Sequence, residues 1–255
     1  MTVDAFKSFS KKQLILLNWW TDSSPYKNRD AIICDGSVRS GKTVCMFLSF
    51  IFWAFYMFSD SSFAVCGKTI TSLRRNIITP MLPMLRSLGF TYEELVSKNM
   101  IIIKKDGREN RFYIFGGKDE GSAALIQGMT LSGVMLDETA LMPRSFCEQA
   151  IARCSVDNSR LWFNCNPENP AHWFYTEWIK KAADKNCLYL HFTMDDNPSL
   201  SEEIKQRYKN LYSGSFYERF IEGKWVSCDG AVYPFFDSSY IYDVPVGVTK
   251  YFVSC

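Results

Sequence analysis

The chain has 255 residues, of which 47% are hydrophobic and 16% aromatic, and its formal net charge is +2. This composition supports a large packed core and excludes a disordered chain, and the length fits one large domain or a domain with an appendage. The small net charge means that any nucleic-acid site must come from local clusters of basic residues. The nine cysteines show no CxxC spacing and are accompanied by only two histidines, which disfavours a zinc site and favours reduced core cysteines.

Two segments bear on whether the chain contacts a membrane. Residues 1–13 lack the apolar stretch of a secretory signal. Residues 44–58 are almost wholly apolar, but the run is shorter than the ~20 residues that a membrane-spanning helix needs. We therefore interpret it as a helix buried inside the protein, and we expect no membrane partner.

Helical and strand patterns alternate along the chain. Residues 10–20 predict a short helix capped by Ser10, and residues 70–88 predict a helix that is broken or kinked at Pro80 and Pro83. Strands are predicted at 31–35, 63–66, 133–137, 160–164 and 188–192, a hairpin at 100–116, and further helices at 44–58, 146–154, 173–183 and 200–222. The alternation predicts an α/β fold with a mostly parallel central sheet and helices on both faces.

The most specific motif is a glycine-rich loop between the first predicted strand and the apolar helix. The loop Gly36-Ser37-Val38-Arg39-Ser40-Gly41-Lys42-Thr43 matches GxxxxGK[ST] at every fixed position. Backbone N–H groups of such a loop bind phosphate oxygens, the lysine reaches the β- and γ-phosphates, and the threonine hydroxyl ligates magnesium. The sequence therefore predicts a P-loop NTPase that binds ATP and magnesium. Arg39 is either a solvated side chain or a cis arginine against the γ-phosphate.

An apolar strand at 134–136 ends in two carboxylates, Asp137 and Glu138. Asp137 would hold magnesium, directly or through water, and Glu138 would orient and activate the attacking water. A P-loop kinase has less need of the second carboxylate, so the pair favours ATP hydrolysis. A further apolar strand ends in the amides Asn164 and Asn166. The spacing alone favours turn residues there over phosphate sensors, because Asn-Pro is a common turn starter.

Two segments concentrate positive charge. Residues 67–92 contain basic side chains and no acidic one, and residues 98–118 contain more basic than acidic residues. Such clusters can neutralise DNA phosphates without reading sequence, although a solvated surface explains any single lysine better. The candidate DNA-binding residues are Arg74, Arg75, Lys104 and Lys105.

Taken together, these segments resemble the ATPase half of a tailed-phage terminase large subunit of the PBSX-like kind. The resemblance is carried by GSVRSGKT at 36–43, IQGMTLSGVMLDETALMP at 126–143, FNCNPENPAHWFY at 163–175, DDNPSL at 195–200 and FIEGKWVSCDGAVYPFFD at 220–237. It implies a P-loop NTPase fold of the additional-strand catalytic-glutamate type. It also implies a motor that hydrolyses ATP to move double-stranded DNA into a procapsid.

The resemblance implies roles for individual residues. Lys42 and Thr43 match the Walker A pair, Asp137 and Glu138 the Walker B pair, and Asn164 and Asn166 the coupling motif, which replaces the turn interpretation. Gln13 is similar to an adenine-reading glutamine placed upstream of the loop, although a solvated helix glutamine is an alternative.

One position departs from the family pattern. Many terminases carry an arginine about eleven residues before the catalytic glutamate, where this chain has Gln127. The finger arginine is therefore sought elsewhere, at Arg39 in cis or at Arg144 or Arg153 of a neighbouring subunit.

The resemblance also predicts the organisation and partners of the chain. Residues 1–195 would form the ATPase core and residues 196–230 a helical linker. Residues 231–255 would begin a truncated nuclease domain, so that residues 223–255 lack a packing partner and are partly loose. The expected partners are double-stranded DNA, the portal protein and the terminase small subunit. We expect a homo-oligomeric ring on the portal, or a monomer for an isolated fragment, in the host cytoplasm.

Two other functions are compatible with a phosphate-binding loop. A helicase-like DNA-dependent ATPase is disfavoured because no second motor lobe fits after residue 200. A nucleotide-dependent assembly module would bind ATP and the portal but turn over little alone. A DNA-stimulated rate of hydrolysis separates the motor from the assembly module.

Overall fold

The structure is a computed structural model, and it describes residues 8–227. The strands are β1 (Ala31–Gly36), β2 (Ser61–Gly67), β3 (Thr91–Leu95), β4 (Met100–Lys105), β5 (Arg108–Gly116), β6 (Gly133–Leu136), β7 (Arg160–Asn164) and β8 (Cys187–Phe192). The α-helices are α1 (Lys11–Asn18), α2 (Lys42–Met57), α3 (Ile70–Leu73), α4 (Thr79–Ser87), α5 (Arg144–Ala152), α6 (Glu202–Leu211) and α7 (Gly214–Phe220). Elements of both types alternate through the described part of the chain up to residue 192, as predicted.

The strands form one eight-stranded sheet in the order β3-β4-β5-β2-β6-β7-β1-β8. All pairings from β5 to β8 are parallel, and β3 and β4 add an antiparallel edge. Strand β7 lies between β1, which precedes the glycine loop, and β6, which precedes the acidic pair. The order β8-β1-β7-β6-β2 confirms the predicted additional-strand arrangement. It brings the carboxyl ends of β1, β7 and β6 to one edge of the sheet.

Apolar residues cover both faces of the sheet. One face is packed by α2, whose buried side chains include Phe50 and Trp53, and these rings meet Trp162 of β7. The other face is packed by α5 and the segment 174–182. The apolar run 44–58 is therefore a core helix. Among the described residues, no helix combines the length and apolarity needed to cross a bilayer. All seven cysteines in this part of the chain are free, and most are buried.

The structure departs from the sequence-based elements at four places. Where a helix was predicted at 173–183, it has a π-helical turn at Tyr175–Ile179. Strand β3 was not predicted, because TYEEL lies at the sheet edge with exposed side chains and lacks apolar alternation. The predicted break at Pro80 and Pro83 is instead a π-helical turn at Arg74–Ile78, since Pro80 falls in the first turn of α4, where its missing N–H costs little. The predicted helix 200–222 is two helices separated at residues 212–213.

Candidate functional site

The glycine loop runs from the end of β1 into α2 and is held by backbone conformations that favour glycine. Gly36 has φ 127° and Gly41 has φ 82°, and Arg39 between them also lies in the left-handed region at φ 59°. Gly41 is the N-cap of α2, so the amino end of a 16-residue helix faces the loop. This arrangement gives the loop the partial positive charge that phosphate binding requires.

Lys42 directs its ammonium back into this loop. The Nζ atom donates to the carbonyl oxygens of Gly36 at 3.1 Å and Ser37 at 2.8 Å, and to Ser40 Oγ at 3.2 Å. It also reaches Asn166 Oδ1 at 3.2 Å. Burial lowers the pKa of Lys42. The loop thus places an ammonium group where phosphate oxygens could replace its present acceptors.

Asp137 and Thr43 meet across the side chain of Asn164. The Asn164 amide nitrogen donates to Thr43 Oγ1 at 2.9 Å and also to Asp137 Oδ1. Burial raises the pKa of Asp137 to about 7, against the lowering effect of the Asn164 hydrogen bond. The Asn164 Oδ1 atom is buried without a hydrogen-bond partner. The Thr43 hydroxyl and the buried Asp137 carboxylate supply oxygen ligands of the kind that magnesium prefers. Magnesium commonly uses few protein ligands together with phosphate and water.

Glu138 follows Asp137 immediately and is half-buried. Its backbone adopts φ 53°, a left-handed conformation that is uncommon for a residue with a side chain. The next residue, Thr139, donates its hydroxyl to the carbonyl oxygens of Leu136 and Asn164, each at 3.1 Å. These bonds fix the turn that aims the second carboxylate into the cleft.

The loop, the acidic pair and the two asparagines line one open cleft of about 450 Å³. All eight loop residues except Gly36 contribute to it, together with Asp137, Glu138, Asn164 and Asn166. The cleft also contains residues that the sequence did not indicate, namely Val44, Asn76, Cys165, Asn197, Ser199 and Leu200. Asn76 belongs to the π-helical turn, and no motif could have marked it. Asn197 belongs to the DDNPSL segment, for which the sequence gave a resemblance but no role in the site.

Gln13 lies next to the loop without lining the cleft, whereas Arg39 lines the cleft. Gln13 is 3% exposed, its Oε1 accepts from the Ser10 N–H at 3.0 Å, and its Nε2 lies against Gly41. The side chain of Arg39 is exposed and donates from Nε to the hydroxyl of Tyr208 in α6 at 3.2 Å. Both residues therefore contact the loop region, and their predicted roles stay predictions.

The other candidate arginines are outside the cleft. Arg144 is exposed, pairs with Glu148 at 3.5 Å and lies over the ring of Trp173. Arg153 ends α5 as its C-cap residue. Gln127 is exposed at the end of a 3-10 turn. Within one chain neither Arg144 nor Arg153 lines the cleft, as a trans role would require.

The predicted DNA-binding residues do not form one free basic surface. Arg74 pairs with Glu94 at 3.2 Å, and Lys104 pairs with Glu109 at 2.7 Å. Lys105 donates to the Leu88 carbonyl at 2.7 Å. Arg75 is exposed and bonds only to the neighbouring Asn76 among the contacts described. Arg75 is therefore the candidate whose charge is least compensated.

Within residues 8–227, no group of three or more His, Cys, Asp and Glu side chains could hold a metal ion. A magnesium ion in the cleft would therefore rest on Thr43, Asp137, nucleotide phosphates and water. The additional-strand sheet, the loop at the end of β1 and the acidic pair at the end of β6 together define a P-loop NTPase.

Comparison with known proteins places the chain within this class. The family model described as terminase large subunit, T4likevirus-type, N-terminal, matches residues 33–239. The chain belongs to this family, which confirms the predicted resemblance to a terminase large subunit. The narrower PBSX-like type stays a prediction. A search of curated proteins found no match.

Solved structures support the same assignment. The chain is 51% identical to the large terminase of a thermophilic bacteriophage, covering 98% of this chain and 62% of that one at a TM-score of 0.86. It is 52% identical to the same terminase in complex with ADP, covering 91% and 57% at a TM-score of 0.85. It thus spans less than two thirds of these proteins. The large terminase ATPase domain of Thermus phage P74-26 shares the fold at 14% identity, with 78% and 90% coverage and a TM-score of 0.59.

Proposed function

We propose that this chain is an ATP-hydrolysing motor domain that moves double-stranded DNA into a viral procapsid. The observation that carries the proposal is the single cleft in which the phosphate loop, Asp137, Glu138 and the two asparagines meet. The large terminase of the thermophilic bacteriophage, about half identical to this chain, has been solved in complex with ADP and with ATP-gamma-S. Nucleotide binding at the equivalent loop is therefore the first part of the proposal.

ATP would bind with its β- and γ-phosphates at the glycine loop and the amino end of α2. Lys42 Nζ now contacts four loop and asparagine oxygens, and phosphate oxygens would take over part of this coordination. Magnesium, held by Thr43 and Asp137, would neutralise phosphate charge when bound. Gln13, packed against Gly41, is proposed to contact the adenine from the side of α1.

Glu138 is the proposed general base for hydrolysis. It lines the cleft one residue beyond the proposed magnesium ligand, and the fixed turn at Thr139 restricts its backbone. A carboxylate in this position can accept a proton from a water molecule aligned with the γ-phosphate. Because water is the nucleophile, this arrangement favours hydrolysis over transfer to a second substrate.

Asn164 and Asn166 are proposed to couple the nucleotide state to the rest of the domain. Asn164 donates to Thr43 and Asp137, and Asn166 accepts from Lys42. Binding of magnesium and phosphate would compete for each of these groups. The segment after β7 would then change its contacts between the nucleotide-bound and nucleotide-free states.

An arginine would stabilise the charge that develops on the γ-phosphate. Arg39 would need to exchange its bond with Tyr208 for a phosphate oxygen, whereas Arg144 or Arg153 would act from a neighbouring subunit. Arg39→Ala, Arg144→Ala and Arg153→Ala separate these routes. Inactive subunits that still carry the finger arginine should restore activity to a trans-finger variant and should not restore a cis-finger variant.

The remaining partners follow from the proposed motor. They are double-stranded DNA, the portal protein and the terminase small subunit, with the chain in a homo-oligomeric ring in the host cytoplasm. Arg75 is the proposed DNA contact because it is exposed and has no ion pair among the described residues. Arg74, Lys104 and Lys105 are weaker candidates, since each already has an intramolecular partner.

The test is the rate of phosphate release from ATP and magnesium with and without double-stranded DNA. If the chain is a motor, DNA should stimulate its hydrolysis of ATP, and DNA should stimulate the Arg75→Ala variant less. Arg29→Ala is the control, because Arg29 precedes β1 and does not line the cleft. ATP binding without hydrolysis at any protein concentration or with DNA would contradict the motor and favour an assembly module.

A further inference from the structure

A short segment of the linker region lies directly against the outer side of the phosphate loop. This segment, residues 219–225, is called the clasp below; it comprises the end of α7 and the five residues that follow. The Val38 N–H of the loop donates to the carbonyl of Phe220 at 3.1 Å. A Cβ atom built on Gly223 would lie 2.7 Å from both Gly36 Cα and the Ser37 nitrogen. The clasp and the loop therefore touch through backbone atoms.

A buried carboxylate anchors the clasp beneath the loop. Asp35 directly precedes Gly36 and is 0% exposed. Its Oδ2 accepts from Trp225 Nε1 at 2.7 Å, and its Oδ1 lies 2.9 Å from His191 Nδ1. The other ring nitrogen of His191 lies 3.2 Å from the Glu222 carbonyl oxygen. A buried charge is tolerated only with such partners, so the position of Asp35 depends on clasp residues.

Packing and a second set of polar contacts extend this connection. The Trp225 ring stacks on Tyr175 with centroids 4.8 Å apart and planes 17° from parallel. The Arg219 guanidinium donates to the Pro167 carbonyl and pairs with Glu168 at 2.7 Å. Pro167 directly follows Asn166, which contacts Lys42. The clasp thus reaches the loop and the segment after β7 at the same time.

We propose that the clasp is a positioning element of the nucleotide site, which sets the phosphate loop through Asp35, Gly36 and Val38. The inference rests on the proposed nucleotide binding at this loop and deepens it. Linker docking alone would require only surface contact. Here the clasp hydrogen-bonds a loop N–H, packs on the first loop glycine and donates a hydrogen bond to the buried carboxylate before it. Displacing the clasp should therefore weaken nucleotide binding.

Gly223→Ala tests this inference with a matched control. Gly223 and Gly107 both have left-handed backbones, with φ 71° and 78°, so alanine strains both positions alike. An added Cβ meets the loop at Gly223 and meets nothing within 4 Å at Gly107. We expect Gly223→Ala to raise the dissociation constant of Mg·ADP about tenfold, and Gly107→Ala to leave it unchanged. Equal affinities for both folded variants would overturn the inference.

Trp225→Phe provides a second test that avoids backbone strain. It removes the donor to Asp35 and keeps an aromatic ring against Tyr175. Trp20→Phe is the control, because Trp20 Nε1 also makes one hydrogen bond, to Ser49, away from the cleft. Calorimetric titration with Mg·ADP should show weaker binding for Trp225→Phe alone, at temperatures where both variants are folded. Unchanged ADP affinity in Trp225→Phe would contradict the inference even if Gly223→Ala fails to fold. Failure of the unmodified chain to bind Mg·ADP would instead refute the proposed function.

Discussion

Replacing Lys42 with methionine should separate nucleotide affinity from folding stability. Methionine keeps an unbranched apolar side chain of similar length, with a sulfur in place of one methylene, and lacks the ammonium group. In the structure Lys42 is 5% exposed, and its ammonium contacts four oxygen atoms. The substitution therefore affects nucleotide affinity and folding stability differently. The variant loses a charged donor to phosphate, but it also no longer buries an ammonium group.

The loss of nucleotide affinity should be larger than the change in folding stability. A hydrogen bond to a charged group contributes roughly 1.5–3 kcal/mol, so loss of the phosphate contact should raise the Mg·ADP dissociation constant about 10- to 150-fold. The Lys42 ammonium bonds to carbonyl, hydroxyl and amide oxygens rather than to a carboxylate, so removing this buried charge relieves a desolvation cost that offsets the lost hydrogen bonds. The Ser37 carbonyl keeps the hydrogen bond that it accepts from Ser40 Oγ at 3.1 Å. We therefore expect the free energy of unfolding to change by less than about 1 kcal/mol, or a few degrees in Tm.

Calorimetric titration with Mg·ADP measures the affinity, and thermal unfolding without nucleotide measures the stability. Lys205→Met is the matched control, since Lys205 is also buried, at 8% exposure, and pairs with Asp195 and Glu202 without lining the cleft. It should lose stability without losing ADP affinity. Binding of Mg·ADP by Lys42→Met within about threefold of the unmodified chain would refute the reasoning.

Three further predictions concern pH, the core and magnesium. The hydrogen bond to Asp35 raises the pKa of His191, so its stabilisation is complete below the unfolded value near 6.5 and is lost as pH rises through the folded value. The Tm deficit of His191→Gln should therefore be larger at about pH 5.5 than at about pH 8.5, and the reverse order would contradict this. Trp162→Ala removes a fully buried ring and should cost about 3–5 kcal/mol in urea unfolding. A loss below about 1 kcal/mol would mean that this contact is not part of a packed core. Asn164→Ala removes the amide that holds both proposed magnesium ligands, and it should raise the magnesium concentration for half-maximal ADP binding about tenfold or more. An unchanged requirement would exclude that role.

The parts of the site that could be predicted are those in which backbone chemistry requires a local motif. The glycine loop needs its residues in one continuous run, and the acidic pair ends an apolar strand. Both motifs could therefore be predicted from the sequence. Asn76 and Asn197 reach the cleft only through tertiary packing, so no local pattern marked them. The spacing around Asn164 favoured a turn residue. In the structure, the amide nitrogen of Asn164 donates hydrogen bonds to Thr43 Oγ1 and Asp137 Oδ1.

The clasp is a contact that sequence reasoning did not predict, whereas the expectation for residues 223–255 falls mostly outside the described residues and stays a prediction. Residues 223–255 were expected to be partly loose without a nuclease domain to pack on. In the structure Gly223 packs against Gly36, and Trp225 donates to a fully buried Asp35. The core itself supplies the partner, because the buried carboxylate requires donors. The predicted nuclease segment at 231–255 lies outside the described residues, and the proposed boundary at residue 195 stays a prediction.

Single-turnover cleavage of ATP by Glu138→Gln, beside the unmodified chain, tests the central claim most directly. The substitution keeps the shape of the side chain and removes its capacity to accept a proton. We expect Mg·ADP affinity to stay within about twofold and the rate of phosphate release to fall by at least about 100-fold. Cleavage at the rate of the unmodified chain would show that Glu138 is not the base, and the proposed hydrolytic site would have to be reassigned.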